Sequence, residues 1–209
     1  MKNRLVFLDF EASGLEDGSH PIELGWAFED PTAESGIRSS AILIRPMSGW
    51  SIWSSDAERI HGIPQSLLLR DGVKPNKVVE RFLAATREDC FLVSDAPAFD
   101  GAWLAMLLRA AQVSENRVTW TLRRVISMQQ AWVVAAAPLL DGSTAGQERA
   151  VEVINATLAA LPSGPRVHRA EADARDNLLT WQMVRDAVLA AVPSNGTKSD
   201  MNILKEKLS

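Results

Sequence analysis

Asp9 and Glu11 stand two residues apart at the end of a short apolar run, Leu5 to Leu8. Such a run reads as a buried central strand, and alternate residues of a strand point to the same side. The two carboxylates therefore project together, with Phe10 turned the other way. Neighbouring like charges repel unless a proton or a cation separates them. The pair is thus either half of a divalent-metal site or an acidic strand end in water. Two further clusters follow in the chain. Asp100 comes after a later apolar run, Cys90 to Ser94, and His168 and Asp173 open the last long helical stretch. In His168-Arg-Ala-Glu-Ala-Asp173 the histidine falls just before or at the helix start. The aspartate lies about one and a third turns in, so the two can border one pocket. Helix-start acids such as Glu171, Asp173 and Asp176 are also explained by the helix dipole alone.

The elements that must bring these clusters together can be read from periodicity and turn residues. A second strand spans Pro21 to Phe28 and a third Ser40 to Arg45, joined by short Gly, Asp and Pro loops that suit an antiparallel meander. Glu23, inside the second strand, reads either as a core-edge acid near the candidate metal site or, the preferred expectation, as a solvent-facing strand residue. A short helix over Ser55 to Ile60 should end at Gly62, with His61 in its last turn. Asn76 can cap a helix from Lys77 to Arg87. The strand Cys90 to Ser94 leads through Asp95-Ala-Pro-Ala-Phe-Asp100 into a helix running to Ala111, with Asp100 in its first turn. Val118 to Leu122 reads as a fifth strand, Val125 to Ala137 and Gln147 to Leu161 as helices, and Ala170 to Ala191 as a long final helix. Strands first, then strands alternating with helices, predict an α/β fold with a mixed sheet flanked by helices. Residues 1–192 form the expected domain, and 193–209, linker-like in composition, a flexible tail.

The chain has 209 residues with 46% hydrophobic and 23% charged side chains, enough for a full core and unlike a disordered segment. Its 22 basic residues against 26 acidic ones give a net charge of −4, unlike a globally basic nucleic-acid binder. A local basic groove is compatible with that total. Cys90 is the single cysteine, which excludes an internal disulfide and a thiolate metal site. The N-terminal residues lack a signal peptide's apolar stretch, and no run reaches membrane-spanning length. A soluble cytoplasmic protein is expected.

Three segments resemble the exonuclease motifs of the DEDDh family, the RNase T-like and polymerase-proofreading group of 3′→5′ exonucleases. They are Phe7-Leu-Asp-Phe-Glu-Ala-Ser-Gly-Leu15, Ala98-Phe-Asp100 and His168-x-Ala-x-x-Asp-Ala174. Ile22-Glu-Leu-Gly25 and Ile60-His-Gly-Ile63 also resemble intervening family segments. The resemblance implies an RNase H-like fold, a mixed five-stranded sheet with helices on both faces. It implies that Asp9, Glu11, Asp100 and Asp173 are the metal-ligand acids and His168 the general base. The sister group uses a tyrosine near its last aspartate, and this chain has no tyrosine. One departure stands out: many relatives have His-Asn before the second motif, where Asp95 and Ala96 stand here. That removes a polar contact and adds negative charge near Asp100.

Four carboxylates in one cleft call for two divalent cations, which can activate water and stabilise a leaving 3′ oxygen. Oxygen-only ligands and a phosphate substrate suit Mg²⁺ or Mn²⁺. An imidazole titrates near neutrality and can take the water's proton. The implied reaction is removal of nucleoside 5′-monophosphates from a single-stranded 3′ end of RNA or DNA. Family analogy adds substrate contacts from Ala12, Ser13 and Gly14 to the terminal sugar, from Leu15 and Phe99 to terminal bases, and from His61 to the nucleic acid. RNase T-like relatives also suggest a homodimer. The alternative is a non-catalytic nucleic-acid-binding protein that kept the fold.

Overall fold

β1 (Arg4–Ala12) is the central strand, buried on both faces over Val6 to Leu8 and then alternating between half-buried Asp9 and Glu11 and buried Phe10. In the computed structural model, residues 4–86, 90–122, 124–162 and 168–192 are described, so the predicted tail lies outside them. β1 pairs antiparallel with β2 (Pro21–Glu29), which pairs antiparallel with β3 (Ile37–Leu43), as the short loops require. Two short helices, α1 (Ser55–His61) and α2 (Gln65–Asp71), and then α3 (Pro75–Thr86) lead to β4 (Cys90–Ser94). The chain continues through α4 (Pro97–Ala110), α5 (Glu115–Leu122), β5 (Val125–Ser127), α6 (Met128–Ala136), a single 3-10 turn over Ala137–Leu139, α7 (Thr144–Ala159) and α8 (Ala170–Ala191). The five-stranded sheet has the order β3-β2-β1-β4-β5, with β4 and β5 parallel to β1. This is the mixed, helix-flanked α/β sheet expected from the sequence.

The described residues group into two compact units, one of residues 4–127 and 168–178 and the other of residues 128–162 and 179–192. The first contains the whole sheet. Val6, Leu8 and Phe10 of β1, with Leu24, Trp26 and Leu92, form one sheet face and pack with Val78 and Phe82 of α3 and Leu104 and Leu108 of α4. Each such fully buried side chain contributes about 1.5–3 kcal/mol relative to exposure. On the other face Phe7, Asp9 and Glu11 stand opposite Ala27, Gly25 and Glu23 in register. Gly25 leaves room there for the first turn of α8: a Cβ would lie 2.1 Å from the Ala170 carbonyl carbon and 2.4 Å from the Glu171 nitrogen. In the second unit Trp181 Nε1 donates to the Ala131 carbonyl at 3.2 Å, among buried Ala131, Ala135 and Val184.

Two expectations need correction. Residues 118–122, expected as the fifth strand, are the end of α5, whose first turn bonds back to the Ser114 carbonyl. Val118 and Leu122, four apart, both pack into the sheet core, and that helical spacing overrides β-propensity. The fifth strand is instead Val125–Ser127, which pairs with Leu92 to Ser94 and was read as the start of a helix. Three residues are too few to carry a strand period. At α3 the helix begins one residue before Asn76, with Pro75 in the first turn and the Lys74 carbonyl accepting from Lys77 and Val78. The expected short helix ending at Gly62 is present as α1, and Gly62 closes it in the left-handed region at φ 66°.

Candidate active site

β1 outruns its parallel neighbour, since pairing with β4 stops at Phe7 and Val93. The end of β1 that carries Asp9 and Glu11 is therefore open on that side, and the first turn of α4 closes onto it. Asp100 is 3% exposed, accepts from the Phe10 backbone N–H, and accepts from the Ser94 hydroxyl. The same hydroxyl accepts from the Ala96 N–H at 2.9 Å, so one serine fixes both the loop and the carboxylate. On the other side of Asp9, α8 delivers Asp173. Its carboxylate Oδ2 accepts from the Arg169 N–H at 3.2 Å, while its own N–H donates to the Arg169 carbonyl at 3.0 Å.

Two groups of acids result, and Asp9 belongs to both. Asp9, Glu11 and Asp173 bring carboxylate oxygens within 4.8 Å of one another, and so do Asp9, Asp95 and Asp100. All four acids expected from the sequence meet at one corner. Asp95 joins them as a fifth, where the sequence suggested only added negative charge. Its signal was present in its position five residues before Asp100, at the tip of β4.

The electrostatics of this corner agree with a site built for cations. Burial, then the charges of Asp100, Glu11, Asp173 and Asp95, push the Asp9 carboxyl up to about 9. Glu11 rises to about 8, chiefly through burial and then Asp173 and Glu23, with Arg169 opposing. Asp100 rises to about 7 through burial, against the Ser94 hydrogen bond. Carboxylates crowded this way hold protons unless a positive ion replaces them. The donor set is oxygen only, which suits Mg²⁺ or Mn²⁺ in preference to metals that seek nitrogen or sulfur.

The remaining expected site residues fall around this corner in different ways. His168 is exposed and stands two residues before α8. Leu15 is 75% exposed and Phe99 53%. Ala12 is half-buried and Gly14 buried. Ser13 is buried and fully engaged within the protein. Its hydroxyl accepts from the His20 N–H at 3.0 Å and lies 3.1 Å from His20 Nδ1, its N–H donates to the His20 carbonyl, and its carbonyl accepts from Ser54. His20 stacks on Trp50 and, being buried, has its imidazole pushed down to about 4. His61 is buried edge-on against Trp53, with Nδ1 accepting from the Ile63 N–H at 3.0 Å. Its Nε2 finds no hydrogen-bond partner among the described residues. Glu23, expected to face solvent, is 1% exposed and paired with Arg169. A polar residue two positions before the close-approach glycine of a buried strand was the available hint.

No protein-family model matches the sequence, and no curated protein matches it. Solved structures do match. The zinc-bound form of E. coli exonuclease I in complex with single-stranded DNA superposes with a TM-score of 0.62 at 14% identity, over 89% of this chain. Exonuclease I from Methylocaldum szegediense gives 0.60 at 14% identity over 97% of the chain. A 3′-exonuclease that recognises a histone mRNA stem-loop gives 0.60 at 12% identity over 88%. The chain shares its fold with these exonucleases. The chain spans 41% and 45% of the length of the two exonuclease I structures and 64% of the third. At these identities the exonuclease likeness is one of architecture, RNase H-like as the motifs implied. Among the described residues no helix is long and apolar enough to cross a membrane.

Proposed function

We propose that this chain is a metal-dependent 3′→5′ exonuclease of the DEDDh type, releasing nucleoside 5′-monophosphates from single-stranded ends of RNA or DNA. The observation that carries the reading is the convergence on Asp9 of two carboxylate groups, drawn from β1, the β4–α4 junction and α8, on an exonuclease fold. Asp9, Glu11 and Asp173 would hold one divalent cation, and Asp9, Asp95 and Asp100 a second. Bound Mg²⁺ or Mn²⁺ would neutralise phosphate charge and lower the pKa of water.

The protein's own groups do the rest. His168, in solvent at the mouth of α8, takes the proton of the attacking water. Phe99 and Leu15 present apolar faces on which terminal bases stack; such contacts are worth about 1–3 kcal/mol per base for an aromatic side chain. Because the polar groups of Ser13 are engaged with His20 and Ser54, Ser13 shapes the turn while Ala12 and Gly14 offer backbone to the terminal sugar. His61, expected to touch the nucleic acid, is instead buried with its Nε2 enclosed, and it supports this corner from within the fold beside Trp53.

The test is incubation of 5′-labelled single-stranded RNA and DNA with the protein and Mn²⁺ or Mg²⁺. Stepwise shortening from the 3′ end by wild type, and none by Asp173→Asn, is expected. Tight binding with no shortening on either sugar would make it a binding protein instead. Cleavage at internal bonds would make it another kind of phosphodiesterase.

A further inference from the structure

Glu23 is a buried carboxylate directly opposite Glu11 in the β1–β2 register, and it is not among the carboxylates grouped around Asp9. Three donors fill its two oxygens. Arg169 Nη2 lies 2.5 Å from Oε1, while Arg169 Nε at 3.0 Å and the Ala170 N–H at 3.1 Å share Oε2. All three come from the two residues that join His168 to α8. The same helix turn is held at two further points. Gly25, two residues along the same strand face, admits the Ala170–Glu171 backbone where a Cβ would collide. Ser39 on β3 donates to the Glu171 carboxylate at 2.7 Å. The backbone of Arg169 in turn holds both ends of Asp173, through the contacts to its carboxylate and its N–H.

We infer that Glu23 is a positioning residue: its two-pronged grip on Arg169, with the Ala170 N–H, sets where the start of α8 sits, and hence where Asp173 meets Asp9 and Glu11. This inference rests on the proposed nuclease reading of that corner. Four features support it together. Bidentate Arg–carboxylate pairs fix orientation as well as distance. The Glu23 end of the pair is shielded from water, where an ion pair is more rigid than at the surface. The glycine beneath the helix allows one depth of approach. Finally, pairing with Arg169 gives Glu23 a partner of its own, which keeps this nearby acid from competing with Glu11 for a cation.

A ligand displaced by about 1 Å costs on the order of a hundredfold in rate. The test therefore compares wild type, Glu23→Gln and Arg169→Lys, measured per folded molecule. Glu23→Gln is isosteric but loses the charge, and Arg169→Lys keeps the charge but loses the fork. Mn²⁺ binding is followed by titration calorimetry, which needs no turnover, and kcat and KM by oligonucleotide shortening. The expected result for both variants is a tenfold to hundredfold weaker Mn²⁺ affinity and a similar fall in kcat, with KM for the oligonucleotide within about twofold. If either folded variant binds Mn²⁺ as wild type does, or loses activity only in proportion to its loss of folded protein, the positioning role is overturned. Wild type that binds no Mn²⁺ overturns the nuclease reading and this inference with it. Wild type that binds and turns over, beside unaffected variants, overturns this inference alone.

Discussion

Binding of a divalent cation at the Asp9 corner must displace protons. With Asp9 pushed up to about 9, Glu11 to about 8 and Asp100 to about 7, the cation-free cluster keeps most of its protons at pH 7. The titration belongs to the cluster as a whole, and filling it with cations releases roughly two protons at that pH. By linkage, overall affinity for filling the cluster with Mn²⁺ rises by roughly a few hundredfold from pH 6 to pH 7 and flattens above pH 9. Stability runs the opposite way in the cation-free protein. The folded state holds protons that the unfolded chain, with carboxyls near 4, has already shed. The stabilising contribution of the raised groups is therefore complete below pH 4 and is lost as pH rises through 7 to 9. The slope is about 1.4 kcal/mol per pH unit for each proton so held. Mn²⁺ removes this penalty, so the gain in melting temperature on adding it grows from pH 6 to pH 8.5. Titration calorimetry at pH 6, 7 and 8, in pairs of buffers with different ionisation enthalpies, reads affinity and proton release together. Equal affinity at pH 6 and 8 with no proton release would refute the reasoning.

Other substitutions separate the parts of the site. Asp95→Asn removes a charge that raises both Asp9 and Asp100, so fewer protons should be released on Mn²⁺ binding at pH 7 in the same calorimetric experiment. His168→Ala should leave Mn²⁺ affinity and melting temperature unchanged, because the side chain is exposed, while kcat falls by about 10²–10⁴-fold. Phe99→Ala should raise KM for short oligonucleotides by about tenfold, in line with the loss of one stacking contact, with Mn²⁺ affinity unchanged. Gly25→Ala forces a Cβ into the backbone at the start of α8 and should destabilise the protein by about 1–3 kcal/mol in denaturant melts, with loss of Mn²⁺ affinity in what remains folded.

The acid-bearing ends of the fold were legible because each obeys a local rule. Asp9 and Glu11 alternate with Phe10 along a strand, Asp100 sits in the first turn after Pro97, and Asp173 follows a helix start that begins at Ala170 as expected. Gly62 announced the end of α1. What local rules left out depends on chain segments that meet only in space. Glu23 looks like a surface residue until Arg169, 146 positions later, is laid beside it. Asp95 joins the acids because the β4–α4 turn folds back over Asp9, a geometry set by Ser94. Residues 118–127 were misread because β5 is three residues long and α5 is rich in β-branched side chains, so neither displays its own period clearly.

The central claim is that acids from three separate segments share cations around Asp9. Crystals soaked in Mn²⁺ and measured for its anomalous scattering test that claim most directly. Two peaks are predicted, both touching Asp9, one with Glu11 and Asp173 and the other with Asp95 and Asp100. A map with no Mn²⁺ peak in contact with Asp9, from crystals in which these side chains are ordered, would contradict it.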